Sequence, residues 1–293
     1  MIHSRRIMAF FHVACFLFMA SVAFAATDIP SAKVAKAPVI DGSAQDAAWS
    51  GVKPLIIVDS ASGKKILFRS VYTTDQVFFL VQFPDAAKNF LHKPWVWNAA
   101  DKKYVTGAHR EDTFVFKWNM MDKEVDLSSF SDDSYRADVW YWKANRTNPA
   151  GFADDKTQAL ADSPSKKSKE KVSATGKKRY LSRLSDAGEP PYKTYKPTAY
   201  EGDLIDAFPP GTPQGSRADV HAKGVWNGGF WFVEFARALN TSHDDDVQFD
   251  PAAGKAYQFG ISIFSLYGNP LDATTPNLYG MGRISEPLRL KFQ

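Results

Sequence analysis

Two stretches of the chain, DTFVFKWN at residues 112–119 and ADVWYWKA at residues 137–144, decide the fold. In both stretches, large aromatic or β-branched side chains recur at every second residue, which is the period of a strand and not of a helix. The second stretch places Trp140 and Trp142 on one face. Both are therefore predicted to be strands that bury one face in an apolar core.

The same period continues on both sides of these two stretches. Segments of this kind also occur at residues 65–74, 76–83, 229–239, 255–264 and 287–292. The Gly-Gly pair after VWN predicts a tight hairpin turn before FWFVEF. Long amphipathic helices are missing, and only a short helical turn is expected near SAQDAAW. Many strands without alternating helices predict an all-β fold, an antiparallel β-sandwich or barrel.

The middle of the chain has a different composition. Residues 162–217 contain KKSKEK, GKKR, PPYKTYKP and PPGTPQG and show little periodicity. This stretch is predicted to be a long irregular insertion in the sandwich, either a solvated loop or a surface that meets a partner. We expect residues 26–293 to form a single domain around it.

The N-terminus has the features of a secretory signal peptide. Two arginines, Arg5 and Arg6, precede an apolar run at residues 8–24, and Ala23 and Ala25 flank a cleavage point. Residues 1–25 are therefore predicted to be a signal peptide, which places the mature protein in the periplasm or outside the cell. No later stretch is long and apolar enough to predict a membrane span.

Charge and cysteine content exclude several classes of function. A formal net charge of +4 over 293 residues gives no basis for nucleic-acid binding. The single cysteine, Cys15, lies in the predicted signal peptide. The mature chain therefore has no disulfide framework, no Cys-rich metal site and no CxxCH motif for a covalent haem.

The sequence contains no motif of an established catalytic class, since it has no GxSxG, HExxH, P-loop or dinucleotide fingerprint. Acid pairs at residues 111–112 and 154–155 do not converge on one atom, because adjacent strand residues point to opposite faces. The acidic run at residues 244–246 is either a hard-cation site or a solvated loop. We expect the protein not to be an enzyme.

Five segments together resemble a known family: APVIDGSAQDAAW (37–49), VYTTDQVFFLVQFPD (71–85), REDTFVFKWNM (110–120), ADVWYWKANRTNPAGFADD (137–155) and the stretch at 231–264. They resemble the ethylbenzene dehydrogenase γ-subunit-like haem-binding domain, also described as the cytochrome c-552/DMSO reductase-like haem-binding domain. The first two segments also resemble family 9 carbohydrate-binding modules and DOMON sandwiches.

The resemblance implies a periplasmic sandwich with one b-type haem between a methionine and a lysine. Met120 is the first choice for the methionine and Met121 the second, although methionines also fill cores. For the lysine, Lys255 is the first candidate, because it lies in the C-terminal third, where the resemblance implies a lysine ligand. Lys143, which shares a face with Tyr141 on the Trp-rich strand, is the second candidate. A lysine must lose its proton to bind iron, which burial in an apolar setting favours.

Aromatic side chains on the Trp-rich strand are candidates for contact with the porphyrin. Trp142 is one of four tryptophans that could wall a flat slot, although aromatics at strand spacing also form sandwich cores. Tyr141 stands where relatives often have a histidine, and the CxxCH block of those relatives is missing here. His109 and His221 are the imidazole alternatives.

These features together predict a non-catalytic electron-transfer protein that holds haem b without covalent bonds. Its expected partner is a larger periplasmic redox enzyme of the molybdenum type, or an electron-carrier protein. Two alternatives remain. One is a haem-free β-sandwich module that binds carbohydrate or a partner protein through an aromatic face, and the other is an assembly subunit without a ligand.

Overall fold

The computed structural model describes residues 26–59, 62–264 and 287–293, and most of its regular structure is strand. The predicted signal peptide lies outside the described residues. The strands are β1 (Thr27–Lys33), β2 (Leu55–Val58), β3 (Lys65–Tyr72), β4 (Gln76–Pro84), β5 (Trp95–Asn98), β6 (Lys103–Thr106), β7 (Thr113–Asn119), β8 (Tyr135–Lys143), β9 (Asp154–Ala161), β10 (Lys169–Val172), β11 (Lys178–Ser185), β12 (Leu204–Ile205), β13 (His221–Asn227), β14 (Phe230–Ala238), β15 (Tyr257–Phe264) and β16 (Leu288–Phe292). Within the described part, helical structure is limited to α1 (Ala47–Ser50) and three short 3₁₀ helices, at Asn148–Ala150, Gly215–Ala218 and Pro251–Ala253.

The large sheet is continuous but folds into two facing halves. Its strands follow the order β10-β11-β9-β8-β7-β15-β16-β1-β3-β4-β14-β13, and β2 pairs with β3. Strand β1 joins the halves, because Thr27–Ser31 pairs with β16 and Ala32–Lys33 pairs with β3. Both of these pairings are parallel, so the sheet is mixed where the sequence predicted an antiparallel one. The predicted all-β sandwich is otherwise confirmed.

Aromatic side chains from both halves fill the space between them. Phe116 of β7 lies with its ring centroid 5.0 Å from that of Phe79 of β4 and 5.0 Å from that of Phe235 of β14. Trp118 stacks on Phe259 at 4.4 Å. These side chains are fully buried. The sequence pattern predicted β7 as a strand and left open which of its faces lies inside; aromatic packing settles it here.

The outer face of β7 and β8 is buried as well. Val115, Tyr135, Val139 and Tyr141 form a second apolar cluster with residues of β9, β11 and the segment after β7. The alternating pattern predicts only one buried face for such strands, and the cover over the other face comes from segments distant in sequence.

The segment at 162–217 contains three of the strands, β10, β11 and β12, and irregular chain between them. Strands β10 and β11 extend the large sheet beyond β9. Strands β13 and β14 form the predicted hairpin, with Asn227 opposite Phe230. The turn residues Gly228 and Gly229 have φ of 56° and 86°, values that glycine adopts without strain. Among the described residues, no helix has the length and apolar character needed to cross a membrane.

Candidate functional site

A cavity of about 560 Å³ lies at the end of the sheet where β7 finishes and β15 begins. Its walls come from three segments of the chain, residues 119–124, 246–248 and 255–258. Its volume falls within the roughly 300–1,000 Å³ typical of pockets that hold small molecules and cofactors.

Pairing of β7 with β15 explains why distant residues meet at this cavity. The two strands are antiparallel, and Trp118 lies opposite Phe259. Residues that follow β7 therefore lie beside residues that precede β15. Met120, Met121 and Lys255, which the sequence makes candidates for axial ligands, all line the cavity.

The two methionines are tied to the neighbouring strand β8. The backbone N–H of Met120 donates to the carbonyl of Arg136 over 3.0 Å, and the N–H of Arg136 donates to Sδ of Met121 over 3.4 Å. Met121 is 39% exposed and Met120 is half-buried. Neither methionine lies in the apolar core, so neither serves as filling for it.

A network of side-chain amides forms the opposite rim of the cavity. Nδ2 of Asn119 donates to Oε1 of Gln258 over 2.7 Å, and Nε2 of Gln258 donates to the carbonyl of Val125 over 2.7 Å. The N–H of Val125 donates back to Oε1 of Gln258 over 3.0 Å. Sequence reasoning missed Gln258; the signal that could have found it is a long amide side chain within the mainly apolar strand YQFGISIF.

Lys255 extends from the chain just before β15. Its side chain is exposed, and Nζ lies 4.9 Å from the ring centroid of Tyr257. On the far rim, Glu124 is ion-paired with Arg289, with Nη2 and Oε2 2.8 Å apart. That hydrogen bond lowers the pKa of Glu124. The amine of Lys255 is thus open to a ligand in the cavity.

Lys143, the second candidate lysine, lies elsewhere on the outer face of β8. It is fully buried, and its ammonium forms an ion pair with Asp154 on β9. Burial alone would raise the pKa of Asp154, but Lys143, Lys156 and Arg217 outweigh burial and hold that pKa well below its ordinary value. Burial also lowers the pKa of Lys143, to about 7.

Tyr141 and Trp142 are also distant from the residues that line the cavity. Tyr141 lies in the outer apolar cluster, and Nζ of Lys143 lies 4.5 Å from its ring centroid. Trp142 lies in the central core, where its ring is 4.9 Å from that of Trp231 and its Nε1 donates to Asn148 over 3.0 Å. Both side chains therefore pack the fold itself.

Two histidines that the sequence offered as ligands lie apart from the cavity too. His109 lines a smaller pocket of about 220 Å³ with residues 88–91 and Arg110. His221, on β13, packs against Phe152 with ring centroids 4.4 Å apart. The structure therefore brings together Met120, Met121 and Lys255 and separates them from the remaining candidates.

The fold and this geometry define a β-sandwich domain with a cofactor-sized cavity where paired strands end. The chain belongs to the ethylbenzene dehydrogenase family, whose model matches residues 50–272. This match agrees with the resemblance that the sequence motifs carry. No curated protein sequence matches the chain.

Solved structures with a similar fold include carbohydrate-binding proteins. A family 9 carbohydrate-binding module from Caldicellulosiruptor kristjanssonii in complex with cellotriose is 13% identical, over 91% of this chain and 95% of that chain, with a TM-score of 0.40. A proposed carbohydrate-binding protein from Bacteroides uniformis is 10% identical, over 92% of this chain and all of that chain, with a TM-score of 0.40. Similarity at this level carries no inference about what this chain binds.

Proposed function

We propose that this protein is a non-catalytic electron-transfer subunit that holds one b-type haem in the cavity at the ends of β7 and β15. The observation that supports the proposal most directly is the meeting of Met120, Met121 and Lys255 around one cavity. Their segments are separated by more than a hundred residues of chain, and the family resemblance suggests a methionine and a lysine as ligands.

The donor set suits the chemistry of a haem that transfers single electrons. A bound haem supplies an iron that cycles between its ferric and ferrous states. A thioether from Met120, or from its neighbour Met121, favours the ferrous state and raises the potential. The amine of Lys255 is the proposed ligand on the opposite side.

Lys255 suits this role better than Lys143 does. The ammonium of Lys143 already neutralises Asp154 in a buried site, so recruiting it would leave that carboxylate with less compensation. Lys255 is exposed, and its Nζ lies over the ring of Tyr257 instead of beside a buried carboxylate. A ligand that fills the cavity would cover its amine and favour the neutral form.

Attachment would be non-covalent. The sequence has one cysteine, Cys15, which lies in the predicted signal peptide. Without a pair of thiols, a haem is held only by its axial ligands and by packing. Loss of haem by dilution or by transfer to a competing apoprotein is therefore expected.

Family membership also supports a partner and a location. The proposed partner is a larger periplasmic redox enzyme, of the molybdenum type, or an electron carrier that docks beside the cavity. Export would depend on residues 1–25, the predicted signal peptide. Detection of the processed chain in a periplasmic fraction would test this part of the proposal.

A second candidate function is carbohydrate binding, and one group of aromatic rings favours it. Trp97 lies with its ring centroid 5.0 Å from that of Tyr104 and 5.0 Å from that of Tyr200, on the small sheet of β12, β5 and β6. Tyr200 is 58% exposed. Exposed aromatic faces of this kind can stack on sugar rings.

Titration with haemin separates the two functions. The purified mature chain should bind one haemin per chain, and its Soret band should shift when dithionite is added. Calorimetry with cellotriose is the parallel measurement, with Trp97→Ala as the matched variant. Failure to retain haemin after gel filtration, together with cellotriose binding that Trp97→Ala abolishes, would reject haem binding and support the second candidate.

A further inference from the structure

Three buried carboxylates meet on the inner side of β8, the side that carries Trp140, next to the wall of the cavity. Asp138 lies on β8, Asp155 lies on β9, and Asp246 lies in the loop that follows β14. One oxygen from each of the three lies within 4.8 Å of the others. All three residues are buried.

Several oxygens of this cluster have no hydrogen-bond partner among the described residues. They are Oδ1 of Asp138, Oδ2 of Asp155 and both carboxylate oxygens of Asp246. The side chain of Asp246 has no exposed surface. Buried carboxylate oxygens without partners are costly, so their presence in one place indicates that a ligand is to be held there.

The other oxygen of Asp138 is fully used by the protein. Oδ2 of Asp138 accepts hydrogen bonds from Nη1 of Arg237 at 2.7 Å, Nε1 of Trp140 at 3.1 Å and the N–H of Val247 at 3.1 Å. These three contacts fix the carboxylate and leave Oδ1 directed at the cluster. The site is therefore held in place by its surroundings.

Charge in the cluster is not balanced by protein groups. Arg237 is the guanidinium of the cluster, 2.7 Å from Asp138 and 3.9 Å from Asp246, and Nδ1 of His243 lies 4.0 Å from Oδ2 of Asp246. Asp186 lies beside Asp155, and its Oδ2 also lacks a hydrogen-bond partner in the described part of the chain. Four carboxylates therefore face one guanidinium.

We propose that Asp138, Asp155 and Asp246 bind one calcium ion through these free oxygens. The ligands are all carboxylate oxygens, which hard cations prefer. Opposite ligands around Ca²⁺ are roughly 4.6–5.2 Å apart, from bond lengths of about 2.3–2.6 Å, and the observed spacing is compatible with this span. Mg²⁺ is less suitable, because it demands near-ideal octahedral geometry with bonds of about 2.0–2.1 Å and gives up its water reluctantly.

A neighbouring group, Asp219 with His243 and Asp246, is the competing arrangement. Nδ1 of His243 is already paired with Oδ2 of Asp219 over 2.5 Å. The free oxygens of Asp246 therefore belong with Asp138 and Asp155. Calcium binding at this cluster does not require haem. Asp246 belongs to the cluster and also to the wall of the cavity.

Terbium luminescence tests the site in the unmodified protein. Tb³⁺ replaces Ca²⁺ at oxygen sites, and Trp140, hydrogen-bonded to Asp138, is positioned to sensitise its emission. The purified chain is freed of metal with a chelator, and Tb³⁺ is then added; terbium emission should appear on excitation of tryptophan. Ca²⁺ added until it occupies the site should abolish that emission, and Mg²⁺ at the same concentration should not. Absence of emission, together with no heat of Ca²⁺ binding in calorimetry, would overturn the proposal.

Variants then locate the site. Asp155→Asn and Asp246→Asn should each weaken Ca²⁺ binding at least tenfold, measured by the Ca²⁺ concentration that displaces Tb³⁺. Asp244→Asn removes an exposed carboxylate from the same loop and should leave that concentration unchanged. Unaltered binding in both core variants, or an equal loss in Asp244→Asn, would reject this assignment. If either core variant fails to fold, the measurements on the unmodified chain decide the proposal.

Discussion

Met120 and Lys143 have opposite environments, although the sequence makes both candidates for iron. Met120 is half-buried at the edge of a cavity, and its side chain has no structural task in the core. Lys143 is fully buried, and its charge is needed by Asp154. A residue that ligates iron must have a side chain free to reach it. The position of Met120 at the cavity therefore favours it as a ligand, and the buried ion pair of Lys143 disfavours Lys143.

The methionine assignment predicts a change in redox potential. Removing a thioether ligand destabilises ferrous iron, so Met120→Ala should lower the midpoint potential of the bound haem by on the order of 100 mV, a small part of the roughly 0.8 V that axial ligands span. Met121→Ala is the matched variant one residue away and should have the smaller effect. Potentiometric titration measures both. An unchanged potential in both variants would rule out methionine ligation.

The buried ion pair predicts that Lys143 serves stability. Lys143→Met would leave Asp154 buried with Lys156 and Arg217 only, and unfolding in urea should show a loss of about 3–5 kcal/mol. The spectrum of bound haem should stay as in the wild type. Loss of the haem spectrum in a variant that remains folded would instead make Lys143 the ligand.

Lys117 predicts a pH dependence of stability. Its buried Nζ donates to the carbonyl of Leu127 at 2.5 Å and to the hydroxyl of Tyr135 at 2.7 Å. Burial lowers its pKa from 10.5 to about 7. Between those values the unfolded chain binds more protons, so this residue makes stability rise with pH, by up to about 1.4 kcal/mol per unit.

The variant Lys117→Met should remove that contribution. Urea unfolding at pH 8, 9 and 10 would show a smaller increase in the free energy of unfolding than the wild type shows. A pH dependence identical to that of the wild type would mean that Lys117 keeps its ordinary pKa in the folded chain.

Strands β7 and β8 show how far sequence patterns determine elements. Alternation of Phe and Trp predicts both strands and, for β8, the face shared by Trp140 and Trp142, because the side-chain period sets those features. It does not predict the burial of Lys117 and Tyr141 on the outer face, which depends on cover from β9, β11 and the chain after β7. Local pattern therefore gives the strand and one face, and tertiary packing decides the other.

The close contact between β13 and β8 predicts that Gly224 does not tolerate a larger side chain. A Cβ on Gly224 would lie 2.4 Å from Cζ2 of Trp142, whose ring is fixed in the core. Gly224→Ala should therefore destabilise the chain by about 1–3 kcal/mol through overpacking. At Gly51, which has φ of −78°, a Cβ would meet nothing within 4 Å, so Gly51→Ala is the matched control.

Thermal unfolding of the two glycine variants would compare them directly. A clear drop in melting temperature is expected for Gly224→Ala, and little change or a slight rise for Gly51→Ala, since alanine restricts the unfolded chain. Equal melting temperatures would show that the ring of Trp142 can move aside.

At the scale of the molecule, the proposed ligands lie together at one end of the sandwich. Strand β1 joins the two halves, and the cavity opens where β7 ends and β15 begins. The methionines and Lys255 could be selected from sequence as residue types, but their meeting depends on pairing between strands more than a hundred residues apart. Asp138 and Asp246 were beyond prediction as partners for the same reason.

The electronic spectrum of the haemin-loaded chain tests haem binding at the cavity most directly. The wild type should bind one haemin per chain and show the low-spin ferric spectrum of an iron with two strong protein ligands. The combined variant Met120→Ala, Met121→Ala and Lys255→Ala should bind haemin weakly and lose that spectrum, while Lys169→Ala, an exposed lysine on β10, should match the wild type. An identical low-spin spectrum in the combined variant, or no haemin binding by the wild type, would contradict haem ligation in this cavity.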